Sequence, residues 1–425
     1  MKTVLIVANM THASPRIPGL ATYLPEFGWK PIVVSGSAAE ITFGREFEVV
    51  LTPFPNVLDL WKKRLHLNPD RGFQNQVGIP LSIRENKNSI PTLIVNHAKT
   101  LMAFPDEHKG WKPFAQEASN KMFERENVDA ILSSSSPFTA HTIAKSLKIE
   151  RKVPWVADLR DLWSQNHNYH FGKLRQNLDK WMELKILKSA DALVTVSPLW
   201  AEELRELHGR DVVYSITNGF DPEQVNSKGD KTTKKFTITY TGSIYEGKQD
   251  FNIFFSAVKD LVSDGTINPN DFDIRFFGPP SEIVDREIKR YGLTDLVNQF
   301  GPIDRLGVFK KQRESQLLLI FYWNDYHIKG WYPGKSFEYL AAQRPIIVVG
   351  GSGDDVVERL MNETKSGTYC RTMENVKEAL RKAYVEYKHI GEVTYDGNKD
   401  EINKYSYREM ARSFSMILDK ATKKF

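Results

Sequence analysis

Two residues beside a predicted turn are the strongest candidates for chemistry in this sequence. Lys335 and Glu338 follow the turn signal Pro333-Gly334, and their spacing puts them on one face of a predicted helix. The first turn of a helix has free N–H groups and a positive dipole end, which attract phosphate. Lys335 would add a formal charge there, and Glu338 would accept hydrogen bonds from ribose hydroxyls. The alternative is a surface ion pair beside a turn closed by Gly350–Gly353.

A second candidate is the loop Thr241–Lys248, which follows the first predicted strand of the second half. Ligands of open parallel sheets bind at the carboxyl ends of the strands. Gly242 lets the backbone turn, and Lys248 stands before the next helix. The alternative is an ordinary strand-to-helix loop.

Charged residues also follow a strand of the first half. Asp158, Arg160 and Asp161 stand where that strand ends, and mixed charge at such a position is typical of a functional site. The alternative is that the aspartates only neutralise Arg160. Arg16 and Gly19, after the first strand, are further candidates.

Several familiar catalytic patterns are absent from the sequence, which has no Walker-type loop, HExxH, paired CxxC or GxSxG. His167 and His170 have no acidic partner in register, so a zinc site is not expected. Asp271 and Asp273 form a DxD pair of the kind that holds a cation on a sugar diphosphate, but the turn residues before them favour an ordinary loop end. We therefore expect no metal and no cofactor.

The composition is that of a globular protein. The 425 residues are 41% hydrophobic and 26% charged, which excludes disordered, fibrous and membrane-spanning classes. The longest apolar run, Leu317–Trp323, is far shorter than the roughly 18 residues of a bilayer span. Val4–Ala8 is too short for a signal peptide. Because Cys370 is the only cysteine, no intrachain disulfide can form, and a cytoplasmic protein is expected.

The net charge of +5 lies in the first half of the chain. Residues 1–200 carry 25 Lys and Arg against 19 Asp and Glu, whereas residues 201–425 carry 33 against 34. Nucleic-acid binders have denser basic clusters, so no nucleic-acid partner is expected. A basic half fits either a solvated face or contact with an anionic membrane surface at the inner face of the membrane. For the membrane alternative the candidates are Trp61–Arg64 and Trp111-Lys112.

Short apolar runs alternate with helical patterns along the whole chain. Runs without clean alternation predict parallel strands covered on both faces. The predicted strands are Val4–Ala8, Ile32–Ser35, Asp129–Ser133, Val153–Asp158, Ala192–Ser197, Val212–Ile216, Phe236–Tyr240, Asp273–Phe277, Leu317–Phe321 and Pro345–Val349.

This rhythm predicts two α/β domains in tandem. The first comprises residues 1–225, a polar linker follows at 226–235, and the second comprises residues 236–403. Thr52–His108 shows no sustained period and would be an inserted binding loop. An amphipathic helix at Tyr405–Leu418 stands alone in the C-terminal segment 404–425.

With these motifs in order, the chain resembles the retaining GT-B glycosyltransferases of family 4, the group 1 sugar transferases. VPWVADLRDLW and ADALVTVSPLWAEEL with SITNGFDPE resemble parts of the family's N-terminal domain. FTITYTGSIYEGKQD is similar to the first strand and phosphate loop of its second domain, and GWYPGKSFEYLAAQRPIIVV to its donor-binding core.

The resemblance implies two Rossmann-like domains with parallel sheets that face across a cleft, with the C-terminal helix crossing back to the first domain. A nucleotide-diphospho-sugar would bind the second domain, and a glycan or lipid-linked acceptor the first. The sugar would leave as an oxocarbenium-like fragment, so positive charge and N–H dipoles must stabilise the diphosphate.

Individual residues follow from the same resemblance. Glu338 matches the ribose-binding glutamate, Lys248 the phosphate-loop lysine and Lys335 the PGK variant of the donor helix. Two positions depart from the family: Gly330 replaces the first glutamate of the pair, and Ser243 replaces the phosphate-loop arginine. The predicted catalytic residues are Lys248, Lys335, Asp158 and Asp161. The predicted donor-binding residues are Gly242, Ser243, Lys248, Gly334, Lys335, Glu338, Gly278 and Gly301. The predicted acceptor-side residues are Arg16, Gly19, Asp158, Arg160 and Asp161.

The predicted function is metal-independent sugar transfer with retention to a hydroxyl acceptor, in bacterial cell-surface polysaccharide or glycoconjugate synthesis. Two alternatives remain open at this point. The departures at Gly330 and Ser243 fit a partner protein that binds a nucleotide-sugar without turnover, and the same fold supports nucleotide-sugar epimerases.

Overall fold

The computed structural model describes residues 1–10, 15–38, 46–64, 103–169, 171–225, 231–325 and 327–423, without the side chains of residues 61–63. The chain divides into two compact units. The first comprises Met1–Thr217 with Ala411–Phe425, and the second comprises Asn218–Met410. The division falls at Thr217, before the predicted domain end at residue 225. Residues 226–230 of the predicted linker lie outside the described residues.

The first unit is built on a parallel sheet with the described strand order β3-β2-β1-β4-β5-β6-β7. Its strands are β1 Lys2–Ala8, β2 Trp29–Ser35, β3 Glu48–Leu51, β4 Ala130–Ser135, β5 Trp155–Leu159, β6 Ala192–Thr195 and β7 Val213–Ser215. Its helices are α1 Arg16–Tyr23, α2 Val57–Arg64, α3 Lys112–Arg125, α4 Thr139–Arg151, α5 Lys173–Leu187 and α6 Pro198–His208. β1 pairs on one side with β2 and on the other with β4, so the strand order reverses there.

The second unit has the described strand order β10-β9-β8-β11-β12-β13, also parallel. Its strands are β8 Phe236–Thr241, β9 Phe272–Phe277, β10 Val297–Gln299, β11 Leu317–Phe321, β12 Ile346–Val349 and β13 Gly367–Cys370. Its helices are α7 Pro222–Val225, α8 Asn252–Ser263, α9 Glu282–Tyr291, α10 Arg305–Arg313, α11 Lys335–Ala342, α12 Val356–Thr364, α13 Met373–Ile390 and α14 Lys399–Asn403; the last helix, α15 Tyr407–Thr422, continues into the first unit.

The prediction of two parallel-sheet α/β domains is confirmed. Central strands such as β1 and β8 are buried along nearly their whole length, because helices cover both faces of each sheet. Three described strands were not predicted. Glu48–Leu51, Val297–Gln299 and Gly367–Cys370 are short edge strands with mixed burial, so they lack the apolar run that identifies a central strand.

Glycines follow three neighbouring strands of the second sheet and form a row at its carboxyl edge. Gly242 N–H donates to Phe277 O at 2.7 Å, and Gly278 N–H donates to Gly301 O at 3.0 Å. Gly242 has φ +102°, which L side chains rarely adopt. A Cβ at Gly278 would lie 2.3 Å from Gly242 O, so only glycine lets the two loops approach this closely. The strand order reverses beside β8, where ligands of such sheets bind.

We expect Gly278→Ala to destabilise the protein by about 3 kcal/mol, because the Cβ collides with Gly242 backbone and the φ of +153° is strained. Gly301→Ala is the matched control: its φ is +77°, but no atom lies within 4 Å of the added Cβ. It should cost about 1 kcal/mol. Urea unfolding of both variants measures the difference, and equal losses would contradict the close approach of the loops.

Candidate functional site

The Lys335 ammonium lies at the carboxyl end of β8. Its Nζ is 3.4 Å from the centre of the Tyr240 ring, and a Cβ added to Gly242 would lie 3.4 Å from the same Nζ. Within the described residues, no hydrogen bond or ion pair engages this Nζ. Burial lowers the pKa of Lys335 well below its usual range, and the nearby Glu338 carboxylate opposes that shift. The Lys335 amino group therefore lies beside exposed backbone with its hydrogen-bond donors free.

The N-terminus of α11 adds further donors beside Lys335. The helix begins after Gly334, and no side-chain hydrogen bond caps it. Gly334 is exposed, and a Cβ placed on it would meet no atom within 4 Å. The positive end of the helix dipole is therefore open on the side where a ligand would approach.

The Glu338 carboxylate is linked to Thr241, at the end of β8, by the side-chain amide of Gln312, which donates to both. Gln312 Nε2 donates to Thr241 Oγ1 at 3.0 Å and to Glu338 Oε2 at 3.4 Å. The Arg305 guanidinium lies 3.3 Å from Glu338 Oε1, and both side chains stay about one-third exposed, at 38% and 32%. This pair is accessible to a ligand that would exchange one partner for another.

Lys248 is positioned by the residues that follow β11. Its Nζ lies 5.5 Å from the centre of the Trp323 ring, and its carbonyl accepts from Asn324 N–H at 3.3 Å. Ser243 is exposed, and its carbonyl accepts a hydrogen bond of 2.7 Å from the Tyr240 hydroxyl. The loop that carries both residues is thus anchored to β8 and to the segment after β11. Of the predicted donor residues, the structure brings Gly242, Lys335 and Glu338 together.

In the first unit, Arg16 and Asp158 form a buried ion pair. Arg16 Nε and NH2 donate to the two Asp158 oxygens at 3.1 and 2.9 Å, and both side chains are fully buried. Ser134 Oγ donates to the same carboxylate at 2.7 Å, and Arg16 also donates to the carbonyls of Ile216 and Thr217. This pair joins α1, strand β5 and the segment after β7.

The predicted acceptor-side residues differ in their exposure. Arg16, Gly19 and Asp158 are buried, and the Gly19 N–H, inside α1, donates to Pro15 O at 2.8 Å. Their acceptor-side roles, and the catalytic role of Asp158, stay predictions. Asp161 is exposed, although desolvation by nearby protein atoms raises the pKa of its carboxyl.

Arg160 stays partly exposed at the end of β5. Its Nε donates to Ser135 O at 2.6 Å, and one terminal nitrogen lies 3.2 Å from Ser136 O. These bonds to main-chain carbonyls orient the guanidinium. Arg160 and Asp161 are the two acceptor-side candidates that solvent reaches.

The paired aspartates of the DxD motif are occupied by protein side chains. Asp271 accepts from Tyr384 Oη at 2.6 Å and from Lys388 Nζ at 2.7 Å, while Asp273 pairs with Arg275 at 2.6 Å. The interpretation of this motif as a loop end fits these bonds. Across the described ranges, no group of three or more His, Cys, Asp or Glu side chains could hold a metal ion, and His170 lies outside them.

Comparison with known families supplies the next observation. The model described as Glycosyltransferase Family 4 matches residues 19–224. The first unit is thus similar to that family over most of its length. Comparison with curated protein sequences gave no significant match.

Solved structures of the GT-B fold class match the chain over both units. Sucrose-phosphate synthase from Thermosynechococcus elongatus has a TM-score of 0.60 and 12% identity, with 100% of each chain covered. Anabaena HepE in complex with UDP and glucose has a TM-score of 0.55 and 12% identity over 99% of each chain. A Listeria monocytogenes protein assigned as UDP-N-acetylglucosamine 2-epimerase has a TM-score of 0.52 and 13% identity, over 100% of this chain and 98% of that chain.

The two departures from the family 4 pattern can now be placed. Ser243 contributes a backbone carbonyl to the Tyr240 hydroxyl and leaves no cation at its position. Gly330 is buried and, as a glycine, supplies no carboxylate at that position. Lys335 is the cation that remains beside Gly242.

Sequence reasoning missed Arg305 and Gln312, which both contact Glu338. They lie on α10, which was not predicted because its pattern is largely polar. One signal was present. Asp304 is a favoured N-cap residue, and its Oδ1 accepts from Gly307 N–H at 2.7 Å. That cap would have indicated a helix start immediately before Arg305.

We expect Arg16→Met to lower the free energy of unfolding by about 3–5 kcal/mol, because the Asp158 carboxylate would stay buried without its partner. Arg16→Met with Asp158→Asn should recover part of the loss, since neither charge then remains. Lys2→Met is the control, because the Lys2–Asp419 bridge is about half exposed and should contribute less than about 1 kcal/mol. Urea unfolding measures all three; an Arg16→Met loss as small as the control would contradict a structural role.

Proposed function

We propose that the protein is a retaining glycosyltransferase that moves a sugar from a nucleotide-diphospho-sugar to a hydroxyl of a glycan or lipid-linked acceptor. The observation that carries this proposal is the Lys335 ammonium, which lies beside Gly242 and the uncapped start of α11 with its donors free. Such an arrangement suits a diphosphate better than any neutral ligand. The complex of HepE with UDP and glucose supports the choice of donor class.

The chemistry follows from charge development at the leaving group. As the bond to the sugar breaks, negative charge grows on the diphosphate, and a preorganised cation with N–H dipoles stabilises it most in that state. Lys335 and the first turn of α11 supply this stabilisation, so the mechanism needs no metal. Lys248 adds a second cation in the loop after β8.

Glu338 would orient the donor rather than act on the sugar. Its carboxylate forms an ion pair with Arg305 and accepts a hydrogen bond from Gln312, and ribose hydroxyls would replace one of these partners. Release of Arg305 then leaves a mobile guanidinium near the diphosphate. This exchange offers a cation in place of the arginine that Ser243 replaces.

We place this reaction in bacterial cell-surface polysaccharide or glycoconjugate assembly, on the cytoplasmic side of the membrane. Within the described residues, no helix has both the length and the apolar character needed to cross a bilayer. Trp111 is one of the residues that the sequence offered for membrane contact. Its side chain is fully buried and donates to Thr52 Oγ1 at 2.8 Å, so it cannot make that contact. The side chains of Trp61, Lys62 and Lys63 lie outside the described residues.

Turnover across a panel of nucleotide-sugars tests the proposal. Lys335→Ala or Glu338→Ala should lower kcat/KM about a hundredfold or more, whereas Lys289→Ala, a lysine on α9, should leave it unchanged. NMR of the first product should show the donor's anomeric configuration, and EDTA should not change the rate. Full activity of both site variants would remove the donor site assigned here.

The epimerase alternative is kept because the Listeria protein has the same fold over the whole chain. Incubation with a donor and no acceptor separates the two reactions, since an epimerase then interconverts two nucleotide-sugars. Binding of UDP without either product would instead indicate a partner protein that holds the donor. Transfer to an added acceptor with retention excludes both.

UDP binding should weaken as pH rises. The lowered pKa of Lys335 means that its ammonium loses its proton at a lower pH than an exposed lysine does. Because a diphosphate favours the charged form, binding raises that pKa and takes up a proton. Calorimetry in buffers of different ionisation enthalpy, at pH values below the range in which an exposed lysine titrates, should show this uptake. Lys335→Met should abolish it; uptake that persists in the variant would assign the proton to another group.

A further inference from the structure

Helix α5, Lys173–Leu187, has its polar and apolar faces reversed relative to an ordinary surface helix. The side chains that it buries include three charged residues, Arg175, Asp179 and Glu183. The side chains that it exposes include Leu174 at 68%, Leu178 at 36% and Trp181 at 57%. A surface helix normally buries its apolar stripe, so an outward stripe needs a partner.

Each of the buried charges is paired inside the first unit. Arg175 Nε donates to Asp179 Oδ2 at 2.9 Å, and Tyr169 donates to the same oxygen. Glu183 Oε2 accepts from Ser164 N–H at 2.9 Å, and its other oxygen lies 3.4 Å from His208 Nε2. These bonds fix the rotation of the helix, so its apolar stripe cannot turn inward without breaking them.

The exposed stripe is continuous along the helix. Leu174, Leu178 and Trp181 are spaced by four and three residues, which places them on one face. Phe171, just before the helix, is also 47% exposed, and its ring centre lies 5.1 Å from the Arg175 guanidinium. We call these four side chains the α5 stripe. They contain two aromatic rings, which favour the boundary between water and lipid.

Exposed lysines lie around the α5 stripe, and neither carboxylate of α5 is on this face. Lys173, Lys180, Lys185 and Lys188 are exposed, and Lys185 Nζ lies 4.7 Å from the centre of the Trp181 ring. Both acidic residues of the helix are turned inward and paired. The outer face is therefore apolar and cationic.

Neighbouring helices extend this positive charge. Lys145 on α4 donates to Lys185 O at 2.9 Å. Its pKa is lowered by partial burial and by the nearby Lys185 and Lys112 ammonium groups. Several ammonium groups therefore lie close together beside α5. No carboxylate is among the groups that shift the pKa of Lys145.

We propose that the α5 stripe and its lysines dock the first unit on an anionic lipid bilayer. Apolar side chains would enter the boundary of the acyl chains while the lysines contact headgroup phosphates, as in helices that lie in the membrane interface. A second copy of the chain is a poor occupant, because a two-fold contact would bring this cationic face against itself. The docking is independent of the proposed glycosyl transfer.

Vesicle sedimentation tests the docking without any donor or acceptor. The wild-type protein should bind vesicles of phosphatidylcholine with about 30% phosphatidylglycerol and should release them at about 0.5 M salt. Pure phosphatidylcholine vesicles should bind it at least about tenfold more weakly. No binding to the anionic vesicles at low salt would overturn the proposal.

Two variants separate the apolar and the charged contributions. Leu174→Gln with Trp181→Gln, and separately Lys180→Gln with Lys185→Gln, should each lower the partition coefficient about tenfold or more. Val385→Gln with Ile390→Gln on α13 is the matched control, because these side chains are 57% and 61% exposed. It should bind as the wild type does.

Other occupants of this face give distinct results. Equal vesicle binding by all variants would mean that another surface docks, which contradicts the assignment to α5. A dimer that forms without lipid and disappears in the Trp181 variant would show that a second copy covers the stripe. Circular dichroism and thermal unfolding of the variants should match the wild type, since all substituted side chains are exposed.

Discussion

A single ammonium held beside exposed backbone is the interaction on which the candidate site depends. Lys335 is on the first turn of α11, but its Nζ rests on the Tyr240 ring from β8 and next to Gly242. A neutral aromatic face attracts the cation without using its hydrogen-bond donors. Burial raises the pKa of Tyr240, so its hydroxyl stays neutral. The result is a charge that is positioned but not neutralised by contact.

The two units treat charge at the carboxyl edge of the sheet in opposite ways. In the first unit, Arg16 forms an ion pair with Asp158 and donates to two main-chain carbonyls. Its hydrogen-bond donors are thus used inside the protein. In the second, Lys335 has no such match within the described residues. A partly buried cation without a partner destabilises a fold, and such groups are typical of sites that a ligand completes. The difference supports the proposal that the second unit binds the diphosphate of the donor.

The sequence predicted the central strands well because their apolar runs are long and both faces are covered. Leu317–Phe321 was predicted with its observed bounds. It also predicted that Lys335 and Glu338 share a face, since that follows from helix geometry alone. It could not show that Asp158 is buried. That fact depends on Arg16, which lies far away in the chain and meets Asp158 only through the order of β1, β4 and β5.

Tertiary contacts also decided which side of α5 faces out. The spacing of Leu174, Leu178 and Trp181 is compatible with a core-facing stripe, and sequence alone favours that interpretation. Arg175, Asp179 and Glu183 lie on the opposite face, and either face could in principle be buried. Tyr169, Ser164 and His208 complete the charged face, so it is the one that packs. A helix docked by satisfied polar bonds can leave its apolar side exposed, and that side is then free for a lipid surface to cover.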